Sequence, residues 1–396
     1  MTSASDRIST RPHEQRTPRV EERDGVWLIR SAEVARQVLR ARDATTQAGF
    51  TAESLTGRMK DTPILFMDGE PHRQQRAKVA RYFAPKTVAT RYHAFMEARA
   101  DALIASMADQ PTSRLDRVTL RYSVEVASQV IGLTNSDMDK MAGRLEKFFD
   151  QPPFDLTRPG VGRSRFQAIR AAIAGNLPML AFYLADVRPA IVARRKDPQE
   201  DVITHLLGEG YADSGILIEC VTYGAAGMVT TREFISMATL HFLRTPPLRD
   251  RYLTAGEPER LAILGEILRL EPVVGHLFRR AQADLTVTDG DQTHTIPQGA
   301  LIDLGTRQTN ADERIVGAEP ERICPGRDLP KGWSEEVMSF GDGPHKCPGN
   351  ALALRESDVF LTRLLGHDLE LVTEPHLEWD ELIAGYALRG FEIAVR

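Results

Sequence analysis

The sequence predicts a mainly α protein with a minor β component. Three observations predict it. Apolar residues recur at helical spacing through most of the chain. A proline-free run from Asp213 to Arg244 is long enough, at about 1.5 Å per residue, to span roughly 48 Å. Strand-like segments are confined to the beginning, to 284–303 and to the C-terminal end.

In chain order, residues 1–24 mix five arginines with five acidic residues and carry no apolar stretch, which predicts a mobile polar tail. Gly25-Val26-Trp27-Leu28-Ile29 reads as a strand, and Val34, Val38 and Leu39 mark a helix over 31–41. Residues 44–66 read as irregular. Several helices follow between 70 and 210, broken at Gln151-Pro152-Pro153 and Arg158-Pro159-Gly160. After the long run comes a helix over about 257–270, ended by Pro272. Leu285, Val287, His294, Ile296 and Ile302 lie among the turn pairs Asp289-Gly290 and Gln298-Gly299, as in short strands. A helix runs from just after Cys347 to about Leu365, and Tyr386–Val395 returns to strands. With no repeat or low-complexity linker, residues 25–396 are expected to form one domain.

The composition is 42% hydrophobic and 27% charged, with a net charge of −5, which suits a globular chain and argues against a nucleic-acid binder. No uncharged apolar run of about 18 residues occurs, so no membrane span is predicted. The three cysteines, Cys220, Cys324 and Cys347, are too few and too scattered for a disulfide framework or a Cys-x-x-Cys site. They fit a reducing, cytoplasmic setting. A lone cysteine is more often core filling than chemistry.

One segment outweighs that bland reading: Phe340-Gly341-Asp342-Gly343-Pro344-His345-Lys346-Cys347-Pro348-Gly349, followed by the helix-forming Asn350-Ala351-Leu352-Ala353-Leu354. Glycine and proline make a tight loop, and glycine lets the backbone approach a bulky group. A cysteine at a helix N-terminus meets the positive end of the dipole, which favours the thiolate, the metal-binding form.

This loop resembles the heme-binding signature of the cytochrome P450 family, Phe-x-x-Gly-x-His-x-Cys-x-Gly, with Phe340, Gly343, His345, Cys347 and Gly349 in register. The resemblance implies a cytochrome P450 fold, with the heme between a long distal helix and the cysteine loop with its helix. It also implies heme b with Cys347 as the axial thiolate ligand of the iron, a ligand that favours O–O cleavage.

Four further segments resemble the family in the right order. His72 and Arg76, four apart on one helix face, correspond to a pair that binds a heme propionate; alone they would read as a solvated face. Glu266 and Arg269 match Glu-x-x-Arg, and Arg322 in Pro320-Glu321-Arg322 is expected to complete that structural ion network. Arg279, in Arg279-Arg280-Ala281-Gln282-Ala283-Asp284, is expected to pair with a propionate, with His345 as an additional partner. In Ala226-Gly227-Met228-Val229-Thr230-Thr231 the small residues imply room for O2, and Thr230 the hydroxyl that relays protons.

Val229 departs from the pattern, standing where the family usually has Asp or Glu. Glu233, three residues beyond Thr230 on the same face, is the proposed substitute. Substrate or bound water could supply protons instead, or the reaction could need less help. Leu354 and Cys324 also depart, standing where the family often has Arg and Asp; Cys324, like Cys220, is expected to be a packed thiol.

The resemblance implies a soluble, monomeric, bacterial-type monooxygenase that acts on a small apolar or natural-product substrate with O2. Electrons are expected from NAD(P)H through a ferredoxin reductase and a ferredoxin, steered by basic residues such as Lys346 and Arg355. Two alternatives stand beside it: oxidative coupling or ring formation on a natural product, and, more distantly, a non-enzymatic heme sensor or carrier. Substrate is expected to meet the loop 45–66, the stretch from Phe149 to Arg170 with a lid at 152–159, Val273, Val274, Gly275 and Leu277, and the turn at Ile383. Phe149, Phe154, Phe166 and Phe182 are candidates for an apolar lining.

Overall fold

The computed structural model describes residues 5–11, 14–49, 62–149, 164–380 and 383–396. Its architecture is mainly helical with small sheets, as the periodicity predicts. Leu115–Ile131, Thr230–Arg244, Glu257–Leu270 and Asn350–Leu365 carry the central layer of one large apolar cluster. Side chains such as Phe242, Phe360 and Ile267 are fully buried there, each worth about 1.5–3 kcal/mol in transfer.

The long proline-free run forms as read, in three parts. Asp213–Gly224 and Thr230–Arg244 are α-helical, and the five residues Ala225–Val229 between them form a π-type turn. Such single turns are inserted within helices and are frequent at functional sites. This one falls on the segment that the motif reading singled out.

Ala32–Arg40 is a helix opened by Ser31, whose hydroxyl accepts the Val34 N–H, and it buries Val34, Val38 and Leu39. It packs beside a five-stranded sheet of order Val20–Arg23, Val26–Ile29, Leu301–Gly305, His276–Ala281, Thr45–Ala48. All neighbours are antiparallel except the parallel pair Val26–Ile29 and Leu301–Gly305. Leu285–Asp289 and Gln292–Ile296 form a hairpin, and the C-terminal strands Gly385–Arg389 and Glu392–Val395 lie where strands are expected. His276–Ala281 is a strand that the spacing does not announce, because His-Leu-Phe-Arg-Arg-Ala lacks apolar alternation.

Where they are described, residues 5–11 and 14–24 are not the mobile polar tail the composition suggests. Val20–Arg23 is the edge strand, and Arg7 and Ser9 are buried. Arg7 Nε donates to the carbonyl of Leu270 at 3.0 Å, Arg16 pairs with Glu321, and Arg19 forks onto Asp289 and Asp312. The charges are numerous because they answer opposite charges in the domain, a pairing that composition alone does not reveal. Among the described residues no helix is long and apolar enough to cross a membrane.

Candidate functional site

The cysteine loop is built on backbone constraints. Phe340 carbonyl accepts the Cys347 N–H at 2.8 Å, and Pro344 sits in the one-turn helix Gly343–His345. Gly343 has φ +67°, and a Cβ there would lie 2.1 Å from the Leu39 carbonyl oxygen, so glycine is required twice over. Asp342 pairs with Arg36 at 3.1 Å and Arg40 at 3.0 Å, tying the loop to the first helix.

Cys347 is half-buried, immediately before the helix Asn350–Leu365. Burial pushes its thiol up, while the Gly349 N–H, Arg76 and Lys346 pull it down. The net direction is upward, contrary to the expectation from the helix dipole alone: desolvation outweighs the dipole here. A coordinated thiol is deprotonated by the cation itself, so metal binding does not need a low intrinsic value.

Around this loop the structure brings together the residues that the sequence separates. The His72 and His345 rings stack with centroids 4.1 Å apart, and His345 Nε2 lies 3.0 Å from Asp68 Oδ1. Burial, then His345, pushes His72 down to about 4, so it is neutral. Arg76 donates to the Lys346 carbonyl. Arg279 projects from its strand opposite Gln47, whose Oε1 accepts from Nη1 at 2.6 Å.

Arg279 is 4% exposed, yet the described residues give neither it nor Arg76 a carboxylate within ion-pair distance. Burial pushes Arg279 down to about 10 and lowers Arg76 as well. Two desolvated guanidinium groups without an anion are costly unless a ligand supplies one. That is the signature expected of residues that receive a dianionic cofactor such as heme, and a thiolate donor beside them suits its iron. The residues present fit the group.

The Glu-x-x-Arg pair also forms. Arg269, fully buried, meets Glu266 at 2.6 and 2.8 Å and donates to the carbonyls of Asn310, Pro320 and Arg322. The third charge is a correction. The Arg322 side chain turns away to Asp6 at 3.0 Å, and only its carbonyl joins the network. Arg327 takes the place expected for it: its Nε lies 2.8 Å from Glu266, and its Nη2 reaches the Arg322 carbonyl at 2.7 Å. Arg327 follows the turn Pro325-Gly326, a signal that could have located it.

On the long helix, Ala226 is exposed and Gly227 and Thr230 are half-buried. Thr230 Oγ1 donates to the Ala226 carbonyl at 2.5 Å, across the π-type turn. A Cβ on Gly227 would meet Ala127 at an ordinary 3.8 Å, so space for a small ligand is offered by Ala226 and not by Gly227.

Glu233 is not a free acid beside Thr230. Its carboxylate is buried and held by Arg232 at 2.5 Å, by Arg389 at 2.8 Å and by the Leu388 N–H at 2.8 Å. It locks the C-terminal strands to the helix, and its oxygens are spent there. The carboxyl that the sequence reading missed is Glu356, nine residues after Cys347. Burial pushes it well above the usual carboxylate range, and the Thr231 side chain hydrogen-bonds to it. Among the described residues its Oε1 has no partner. It stands at the Glu of the family pattern Leu-Ala-Arg-x-Glu, from which Leu354 departs, but its contact with Thr231 joins two helices and is not a local signal.

The remaining expectations divide. Gly275 N–H donates to the Ile383 carbonyl at 3.0 Å, so the predicted segments 273–277 and 383 do meet; a Cβ on Gly275 would lie 2.0 Å from the Ala384 carbonyl. Val273 and Ile383 are buried, and Val274 and Leu277 are half-buried. Phe182 is core, and Phe166 is 70% exposed, so neither lines a pocket. The lid at 152–159, Phe154, the Phe149 side chain and most of the 45–66 loop lie outside the described residues. Cys324 is exposed, not packed, because its backbone, not its thiol, is what Glu266 binds. Arg355 is engaged by Glu257 at 2.7 Å, which offsets its charge.

Comparison with known proteins gives consistent findings. The cytochrome P450 family profile matches residues 261–374. The chain is 26% identical to a vitamin D(3) 25-hydroxylase of Pseudonocardia autotrophica over 373 residues, covering 90% of this chain and 84% of that one. It is 26% identical to an erythromycin C-12 hydroxylase of Saccharopolyspora erythraea, covering 89% and 84%. Among solved structures, ligand-free CYP164A2 of Mycobacterium smegmatis superposes with a TM-score of 0.75 at 25% identity, covering 94% of this chain and 91% of that one. A P450 EryK mutant in complex with erythromycin B superposes with a TM-score of 0.77 at 20% identity, covering 96% and 93%.

Proposed function

Because this chain belongs to the cytochrome P450 family and is a monooxygenase of bacterial type, we propose that Cys347 ligates its heme iron. In the same reading His72, Arg76, Arg279 and His345 would hold the propionates, with Phe340 and Gly349 shaping the loop that carries Cys347. The observation that carries this reading is the convergence of a buried guanidinium (Arg279), a half-buried one (Arg76), neither with a carboxylate in ion-pair distance among the described residues, and a stacked histidine pair on one cysteine loop. When bound, heme supplies reductive O2 activation and the oxidation of substrate carbon.

The chain's own residues position and protonate. Ala226 keeps the helix open at the oxygen side, and the Thr230 hydroxyl presents a donor across the π-type turn. Burial favours the protonated form of Glu356, which lies beside Thr231, one residue from Thr230. We assign to it the task for which Val229 has no group. The C-terminal turn at Ile383 and the residues 273–277 form the substrate wall nearest the strands.

The named hydroxylase relatives support a bulky, largely apolar substrate of natural-product type, and oxygen insertion over coupling. Electrons from NAD(P)H through a ferredoxin reductase and a ferredoxin fit a chain of this type. With Arg355 paired to Glu257, Lys346 carries more of the steering toward an acidic partner. Three thiols with no disulfide support a cytoplasmic location.

The test is a ferrous–CO difference spectrum. Wild type is expected to show the thiolate-type Soret shift, and Cys347→Ser to lose it while Cys220→Ser and Cys324→Ser keep it. A wild type without that shift, or a Cys347→Ser variant that retains it, overturns the assignment.

A further inference from the structure

Glu219 is a buried carboxyl that none of the roles above uses. It lies on the first part of the long helix, Asp213–Gly224, and is 1% exposed. One oxygen accepts the Ile64 N–H at 3.0 Å, from the turn that precedes the helix Gly69–Phe83. Among the described residues the other oxygen is buried with no partner. One turn on, the Tyr223 hydroxyl is likewise buried and without a partner among the described residues, its ring stacked on Phe83 with centroids 5.6 Å apart.

Two unsatisfied oxygens one turn apart are unusual, since a buried polar group left without a partner loses its hydration uncompensated. Their direction on the helix matters. Glu219 and Tyr223 stand at i and i+4 of the α-helical part, so they share one face. Beyond them the helix enters the π-type turn at Ala226, which is exposed, and reaches Thr230. The rise per residue puts Glu219 about 10 Å before Ala226 along the axis.

We propose that Glu219 and Tyr223 form a polar anchor for a cationic nitrogen of the substrate, an amine or guanidine. The proposal rests on the monooxygenase reading above and adds the substrate's charge. A carboxylate and a phenol oxygen present acceptors to a cation's N–H donors. The surrounding apolar walls, Phe83 and Ile64, exclude water and strengthen the pairing.

Burial pushes Glu219 up to about 7, with the Ile64 N–H pulling the other way. Below that value the carboxyl is neutral, and above it charged, so affinity for a cation rises as pH rises through 7. The other titratable groups near it are Cys220 and Tyr223 on its own helix, both pushed up by burial. From neighbouring elements Arg76 and Tyr211 face Tyr223, and Asp201 faces Cys220.

The experiment uses the holoenzyme and three probes of equal length: decylguanidinium, decanoate and decanol. Guanidinium stays charged and decanoate stays ionised from pH 6 to 8.5, so a pH trend reports the protein. Binding is read by calorimetry and, separately, by the heme spin shift. Wild type is expected to bind decylguanidinium at least about 10-fold more tightly than decanoate at pH 8, with the preference shrinking at pH 6. Glu219→Gln is expected to abolish that preference and its pH dependence, with decanol binding and the ferrous–CO spectrum retained.

Equal binding of the three probes by wild type, a preference for decanoate, or a cation preference that survives in Glu219→Gln overturns the anchor. Tyr223→Phe gives a second variant, expected to lose part of the preference without the pH trend; no change overturns the role of Tyr223. A missing thiolate-type Soret shift, by contrast, would sink the heme assignment and leave the calorimetric preference standing on its own.

Discussion

Arg269→Ala is expected to cost about 3–5 kcal/mol of stability, because it leaves Glu266 buried without its bidentate partner and frees three carbonyls. Arg327→Ala removes the second guanidinium from the same carboxylate and is expected to cost somewhat less, because Arg269 remains. Arg322→Ala removes only a half-exposed pair with Asp6 and is expected to stay within about 1 kcal/mol of wild type. Thermal denaturation of the three purified variants, with heme content measured alongside, checks the order. If Arg322→Ala proved as damaging as Arg327→Ala, the placing of the third charge would be wrong. Lysine should not rescue position 269, since one ammonium cannot reproduce a fork that serves a carboxylate and three carbonyls.

The two members of that network that lie three residues apart were legible in the sequence, and the third was not. Glu266 and Arg269 are neighbours by helix geometry alone. Arg327 reaches them across 61 residues of chain. Pro320-Glu321-Arg322 is the nearer match in residue type, but the chain path after Gly317 turns its arginine outward to Asp6. The same division runs through the site. The cysteine loop is legible because glycines, prolines and a following helix are local signals, and Gly343 is fixed by one close approach to Leu39. The residues proposed to hold the propionates come from a helix, a strand and the loop itself; the resemblance picks them out by type, but the burial of Arg279 without a carboxylate is a tertiary fact.

Two failures share one cause. The N-terminal charges and Glu233 were both read as exposed or available because sequence shows a charge without its answering charge. Arg19 is answered by Asp289 and Asp312, some 270 to 293 residues away, and Glu233 by Arg389, 156 residues away. The helix spacing that put Glu233 near Thr230 was sound. What it could not show is that two arginines and a backbone N–H already occupy its oxygens.

Glu356→Gln is therefore expected to do what Glu233→Gln does not. The amide keeps the size and most of the packing of the carboxyl but holds no acidic proton. Product formed per NAD(P)H consumed is expected to fall on the order of 100-fold in Glu356→Gln, with electrons diverted to reduced oxygen species. Thr230→Ala is expected to show the same diversion, since it removes the hydroxyl at the other end of the route. Glu233→Gln takes the Glu233 carboxylate from Arg389 and from Arg232, which keeps Glu146, and is expected to lower stability by about 3 kcal/mol while coupling stays near wild type. The solvent isotope effect on coupled turnover separates the cases, because a purely structural role at position 356 would lower the melting temperature and leave that effect unchanged. Should Glu356→Gln couple as well as wild type, the proton must come from substrate or water, and Val229 would then mark a reaction that needs no protein acid.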